Sequence, residues 1–213
     1  MKGKKQQELK NEIWQICEIL LLAKSSFNIT KYLLHPNSLK HTEYINSSAY
    51  FKYSIIINWR TTVIELSKLF ADNKDRDRFN LKHFIKKLKK DGHFGDIKIP
   101  DTIIADWEAI LDKEVNAINN LILQRDKIYA HTDPAHKSVT NTVHIRKTDE
   151  LIGVVEKVIK HIYLTVFDTG ISFEPVGDPI QNLNYLLDIL VNERETNLAP
   201  PMAFAKKHGL EDV

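Results

Sequence analysis

Between about Lys5 and Leu34, residues Ile13, Ile16, Leu20, Ala23 and Phe27 recur at spacings of three and four. That is the period of one helix face, and no strand can carry it. The same rhythm returns from about Thr42 to Ala71, where Ile55, Ile56, Val63, Leu66 and Phe70 share one side of a helix around Trp59. It returns again from Pro100-Asp101 to Ala130, through Trp107, Leu111, Ile118 and Ile122, and from a cap at Thr148 to about Phe167. Four stripes of this length, adjacent in the chain, must be buried against one another, which predicts an all-α antiparallel helical bundle. Glycine and proline are scarce, at seven each in 213 residues, as such a fold requires.

Shorter pieces decorate the bundle. "DNKDRDRF" reads as a solvated turn, after which Asn80 can cap a short inserted helix with Leu81, Phe84, Ile85 and Leu88 on its apolar face. Its other side carries Lys82, Lys86, Lys89 and Lys90, and Asp91-Gly92 ends it. Residues 134–147 form a polar connection whose alternating Val139, Val143 and Ile145 are too few to demand a sheet. "DTGISFEPVGDP" is the clearest linker; beyond it Leu183, Leu186, Leu187, Leu190 and Val191 mark a last amphipathic helix, and the tail from Asn197 reads as loosely held. The expected organisation is a bundle over 1–167, with its core at about 40–167, and an extension over 168–213 that packs on it.

Thirty basic residues against twenty-eight acidic ones leave a net charge of +2, so any nucleic-acid function must come from a local patch. The single cysteine, Cys17, excludes an internal disulfide. Neither a secretory signal nor a run of about 18 uncharged apolar residues is visible. A soluble cytoplasmic protein without a membrane partner is expected. Gly-rich phosphate loops, nucleophile elbows and Cys/His zinc spacings are missing from the sequence.

One stretch, "LILQRDKIYAHTDPAHK" at 121–137, departs from the pattern. Counted at 100° per residue, positions 107, 111, 114, 118, 122, 125 and 129 fall within about 40° of one line, so Arg125 stands where leucine is expected. A guanidinium on a packed face is costly unless carboxylates or a phosphate accept its hydrogen bonds. His131 comes six residues later, about 240° around and about 9 Å along a regular helix, so the two would not meet. Convergence needs either a helix end near Ala130, as Pro134 suggests, or a second copy of the chain. Around one phosphate the pair suits RNA cleavage: histidine takes the 2′-hydroxyl proton near neutral pH, and arginine stabilises the phosphoryl oxygens.

The "RDKIYAH" run, an arginine and a histidine separated by five residues at the end of a bundle helix, resembles the signature of HEPN domains. "INWRTTVIELSKLF" and "FNLKHFIKKLKK" upstream and "AHTD" downstream resemble the abortive-infection, AbiU-like branch of that superfamily, over roughly Lys40 to Phe167. The resemblance implies an all-helical homodimer, often a toxin or antiphage effector held by an antitoxin protein, that cleaves RNA without a metal or other cofactor at a site composed across the dimer. By matching position, Arg125 and His131 would be the catalytic pair, and Asp126 the polar residue that commonly comes after the arginine. In HEPN toxins silenced by nucleotidylation a tyrosine stands two places after the histidine. Asp133 stands there in this chain, so that mode of inhibition is not expected.

Plainer accounts of the same residues stay open. Arg125 could pair with a buried carboxylate and fix helix packing, with His131 a favourable cation at a helix C-terminus. The chain would then be a non-catalytic HEPN module that binds RNA, a nucleotide or a partner protein. Asp126 is an orienter of Arg125 or His131, or else a solvated charge. Tyr129 reads as a core or interface aromatic and Glu65 as a surface residue on the flank of its helix. His131, Asp133 and His136 are ligand types, but their spacing around Pro134 matches no metal motif, and none is assigned. Lys82, Lys86, Lys89 and Lys90 either track RNA phosphates or form an ordinary solvated face.

Overall fold

Prolines and short polar side chains punctuate the helices. In the computed structural model, which describes residues 2–71, 79–130, 144–174 and 177–208, helix α1 (Lys2–Leu34) stops just before Pro36. Ser38 then caps α2 (Leu39–Ser47), its hydroxyl accepting from the His41 amide at 3.1 Å. Ser48 is extended, which divides the single helix expected over 42–71 into α2 and α3 (Ala49–Lys68). Asn80 caps α4 (Leu81–Leu88) through the His83 amide, and the four apolar residues expected on its inner face are buried. The chain after α4 turns so tightly that a side chain at Gly92 or Gly95 would collide with the carbonyls of Lys87 or Lys90.

The long helix expected over 101–130 is three pieces: α5 (Asp101–Asp112), α6 (Val115–Gln124) and a π-helical turn over Arg125–Ala130. Next come α7 (Ile145–Phe167) and α8 (Pro179–His208). Thr148, expected as a cap, instead lies buried in the first turn of α7, its hydroxyl bonded to the His144 carbonyl at 3.3 Å. Ile145, read as part of a polar connection, opens that helix, while Val139 and Val143 lie outside the described residues. The tail read as loose from Asn197 continues α8 to His208, which Asp178 starts by accepting from the amides of Ile180 and Gln181. Among the described residues there is no strand, so the fold is all-α.

Two compact units form, Met1–Phe27 with Ile57–Pro175, and Asn28–Ile56 with Val176–Val213. In the first, Ile13, Ile16, Leu20 and Phe27 of α1 meet Val63 and Leu66 of α3, Phe84 and Ile85 of α4, Trp107 and Leu111 of α5, and Val155, Ile159 and Ile162 of α7. Each such side chain contributes about 1.5–3 kcal/mol when fully buried. Lys24 joins α1 to Glu156 of α7 and to Glu174, both at 3.1 Å. Cys17 sits in this core. Burial pushes its thiol up to about 12 despite a hydrogen bond with Tyr163, which leaves it an inert packing residue.

The second unit gathers Tyr32, Leu33, Ile45, Phe51 and Leu187. A polar cluster ties α2 to α8 within it. Asp188 pairs with His41 Nε2 at 2.9 Å and accepts from Asn184 at 3.1 Å, and Asn184 accepts from the Tyr32 hydroxyl at 2.7 Å.

Candidate functional site

A π-helical turn ends α6 within the stretch singled out at 121–137. A π turn holds one more residue than an α turn, which shifts everything after it by about 100° around the axis. The separation of about 240° between positions 125 and 131 presumed regular turns that residues 125–130 do not make. His131 itself lies outside the described residues, as do Asp133 and His136.

Arg125 is held by its neighbour. Its Nε donates to Asp126 Oδ1 at 2.7 Å, and an Nη stands at 2.7 Å from the same oxygen. The Arg125 side chain is 16% exposed and that of Asp126 43%, so the guanidinium is largely shielded while its counter-ion faces solvent. A charge-assisted pair of this kind fixes the plane of the guanidinium and takes up two of its five N–H donors.

Arg125 stands between Ile122 and Tyr129 on the expected line, and both of those pack partly buried against the core. The turn at Lys113–Glu114 separates α5 from α6, and the buried residues after it are Ile118, Leu121 and Gln124, spaced by threes. Gln124, polar and buried, is the immediate neighbour of Arg125. Gln124 donates to the Tyr129 hydroxyl at 3.3 Å, and Trp59 of α3 hydrogen-bonds to that same hydroxyl. Burial pushes the Tyr129 phenol up, against these two bonds and the nearby Arg60. Arg60 donates to the Tyr129 carbonyl at 2.9 Å, satisfying an acceptor in the π turn from outside it.

Trp59, Arg60 and Gln124 therefore brace the turn that carries Arg125. A 3.6-residue count passes over them because a π turn leaves no trace in hydrophobic spacing. The one available signal was "NWR" in the α3 stretch, where asparagine, tryptophan and arginine end the aliphatic run of Ile55, Ile56 and Ile57.

The lysine face lies elsewhere in the first unit. Lys82 pairs with Asp112 at 2.6 Å and Lys89 with Glu108 at 2.8 Å, both partners on α5, while Lys86 and Lys90 are exposed. Two of the four cations are thus tied down to helix packing. Glu65, read as a surface residue, is only 14% exposed and pairs with Lys68 at 2.5 Å, because the turn from Glu65 to Lys68 is half buried in the bundle. Among the described residues no three histidine, cysteine, aspartate or glutamate side chains are grouped to hold a metal ion. No helix among them is long and apolar enough to cross a membrane.

Compared with known proteins, the chain matches the family model described as HEPN_AbiU2, AbiU2, over residues 7–186. The match takes in α1 through the first turns of α8, well beyond the stretch whose residues carried the resemblance. No curated protein and no solved structure matched.

Proposed function

The chain belongs to the AbiU2 family of HEPN domains, and from that membership we propose that it is a metal-independent endoribonuclease of the abortive-infection kind. The observation that supports this reading most is the guanidinium of Arg125, shielded and fixed by Asp126 at the start of a π turn six residues ahead of His131. A purely structural arginine has no need of an externally braced π turn beside it, whereas π turns recur at functional sites.

In the proposed reaction His131 accepts the proton of an RNA 2′-hydroxyl, and the 2′-oxygen attacks the adjacent phosphorus. The bond to the 5′-oxygen breaks, that oxygen takes the proton back from the imidazolium so formed, and the products end in a 2′,3′-cyclic phosphate and a 5′-hydroxyl. Arg125 stabilises the charge that builds on the non-bridging oxygens, and Asp126 keeps it aimed. The two groups come from different protomers of a homodimer. The protein acts on cytoplasmic RNA and is held in check by an antitoxin protein.

The test is incubation of the purified chain with single-stranded RNA in excess EDTA. Cleavage should persist, because the scheme requires no Lewis acid. His131→Ala should lower it by about 10²–10⁴-fold, the usual share of a general acid or base. Arg125→Lys should also fail, since a point charge does not reproduce a planar fork. Cleavage that requires a divalent ion, or that survives both substitutions, would leave the non-catalytic binding module as the better reading.

A further inference from the structure

A cavity of about 370 Å³ opens between the start of α6 and the start of α7, within the first unit. Its floor is apolar, made by Ala117 and the buried Leu121 of α6 and Leu151 of α7. Along α6 the residues Ala117, Leu121 and Arg125 stand four apart, on one side of the helix. The floor of the cavity therefore runs towards the guanidinium, with Leu121 about 6 Å along the axis from Arg125. The neighbouring row, Asn116 and Asn120, places two exposed carboxamides on the cavity wall and ends at Gln124.

The rim is basic. Lys113 and Lys147 stand on it with His144, and Glu114 is the single carboxylate among the lining residues. Lys147 is 61% exposed and pairs with Glu150 three residues on, a weak contact that a phosphate can replace. His144 occupies the N-cap position of α7 and its side chain makes no capping hydrogen bond, so the first amides of the helix lend positive potential to the same mouth.

An apolar floor, amide groups at its edge and cations at its rim are what a nucleotide requires: a surface for the base, hydrogen-bond partners for the edge of the base, and charge for phosphate. We propose that this cavity is a subsite for one nucleotide of a single-stranded RNA, next to the scissile phosphate. The base lies against Leu121 and Leu151, Asn116 and Asn120 read its edge, and Lys113 and Lys147 hold the adjoining phosphates. This inference rests on the ribonuclease reading for the position of the cut, while the binding it describes stands independently of catalysis.

The experiment compares the full chain with Asn120→Leu and Lys113→Ala, both at exposed positions where the fold tolerates the change. Binding of short, labelled single-stranded oligoribonucleotides of differing base composition is measured by anisotropy in EDTA across a salt series. Adenosine monophosphate serves as a separate probe, and cleavage positions are mapped in parallel. Asn120→Leu should weaken the best-bound oligomer by about tenfold and flatten the preference among bases. Lys113→Ala should weaken all oligomers alike and lower the slope of log K against log salt by about 0.7.

If both variants bind and cut with the affinity, salt slope and base preference of the parent, the cavity is not a subsite, although the nuclease reading stands. If the parent binds RNA through these residues and cuts none, the ribonuclease reading fails and the nucleotide cavity survives. If adenosine monophosphate binds but the oligomers do not, the cavity serves a free nucleotide and the subsite is overturned.

Discussion

Arg125 was conspicuous in the sequence because a cation interrupted a hydrophobic rhythm, and the structure sets a second polar residue beside it. Gln124 takes the buried position, and Arg125 stands beside it, largely shielded and tied to Asp126. A second charged pair, Lys24 with Glu156, was not legible at all, because 132 residues separate partners that only packing brings together. Burial would push Glu156 up, but hydrogen bonds from Lys160 and Lys24 outweigh it and hold the carboxyl below its ordinary value of 4.5. Its folded value is depressed, so its contribution to stability is fully present above the unfolded value and is lost as pH falls through the folded one. Replacing it, as in Glu156→Gln, should cost about 2 kcal/mol at pH 7. In urea titrations that difference should shrink as pH drops below about 4. A difference that stays constant down to pH 3 would show that the carboxylate charge contributes nothing.

At the scale of elements, what the sequence revealed and what it hid divide along a physical line. Hydrophobic spacing reports which face of a helix is buried, and it placed the apolar faces of α1 and α4 correctly. It does not report where a helix pauses without a proline, as at Ser48 and Lys113–Glu114, nor a turn that carries one extra residue. The π turn is the element on which the proposed chemistry depends. Removing one of its residues, for instance Lys127, should let 125–130 relax into an α turn and rotate the chain beyond it by about 100°. The expected result is a chain that stays helical by circular dichroism and loses RNA cleavage. Retained cleavage would mean that the extra residue has no part in aiming the site.

For the molecule as a whole, the family supplies the expectation that two copies build one site, and the subunit arrangement can be tested without a structure of the dimer. Mixed dimers of Arg125→Ala and His131→Ala chains contain one site with both native residues if the site is composed across the interface, and none if each protomer holds its own. Mixing two inactive variants should then restore about a quarter of the parental activity, since about half of the dimers are mixed and each has one working site. No recovery, with subunit exchange verified by sedimentation, would place Arg125 and His131 of the same protomer together.

The proposed chemistry requires that the phosphodiester be broken by its own 2′-hydroxyl, and mass spectrometry of the product ends reads this directly. An oligoribonucleotide cut in EDTA should yield a 2′,3′-cyclic phosphate and a 5′-hydroxyl, and a single 2′-deoxy substitution at the cut position should block that cut alone. Products ending in a 3′-hydroxyl and a 5′-phosphate, or undiminished cutting at the deoxy position, would contradict the assignment of Arg125 and His131 to this chemistry.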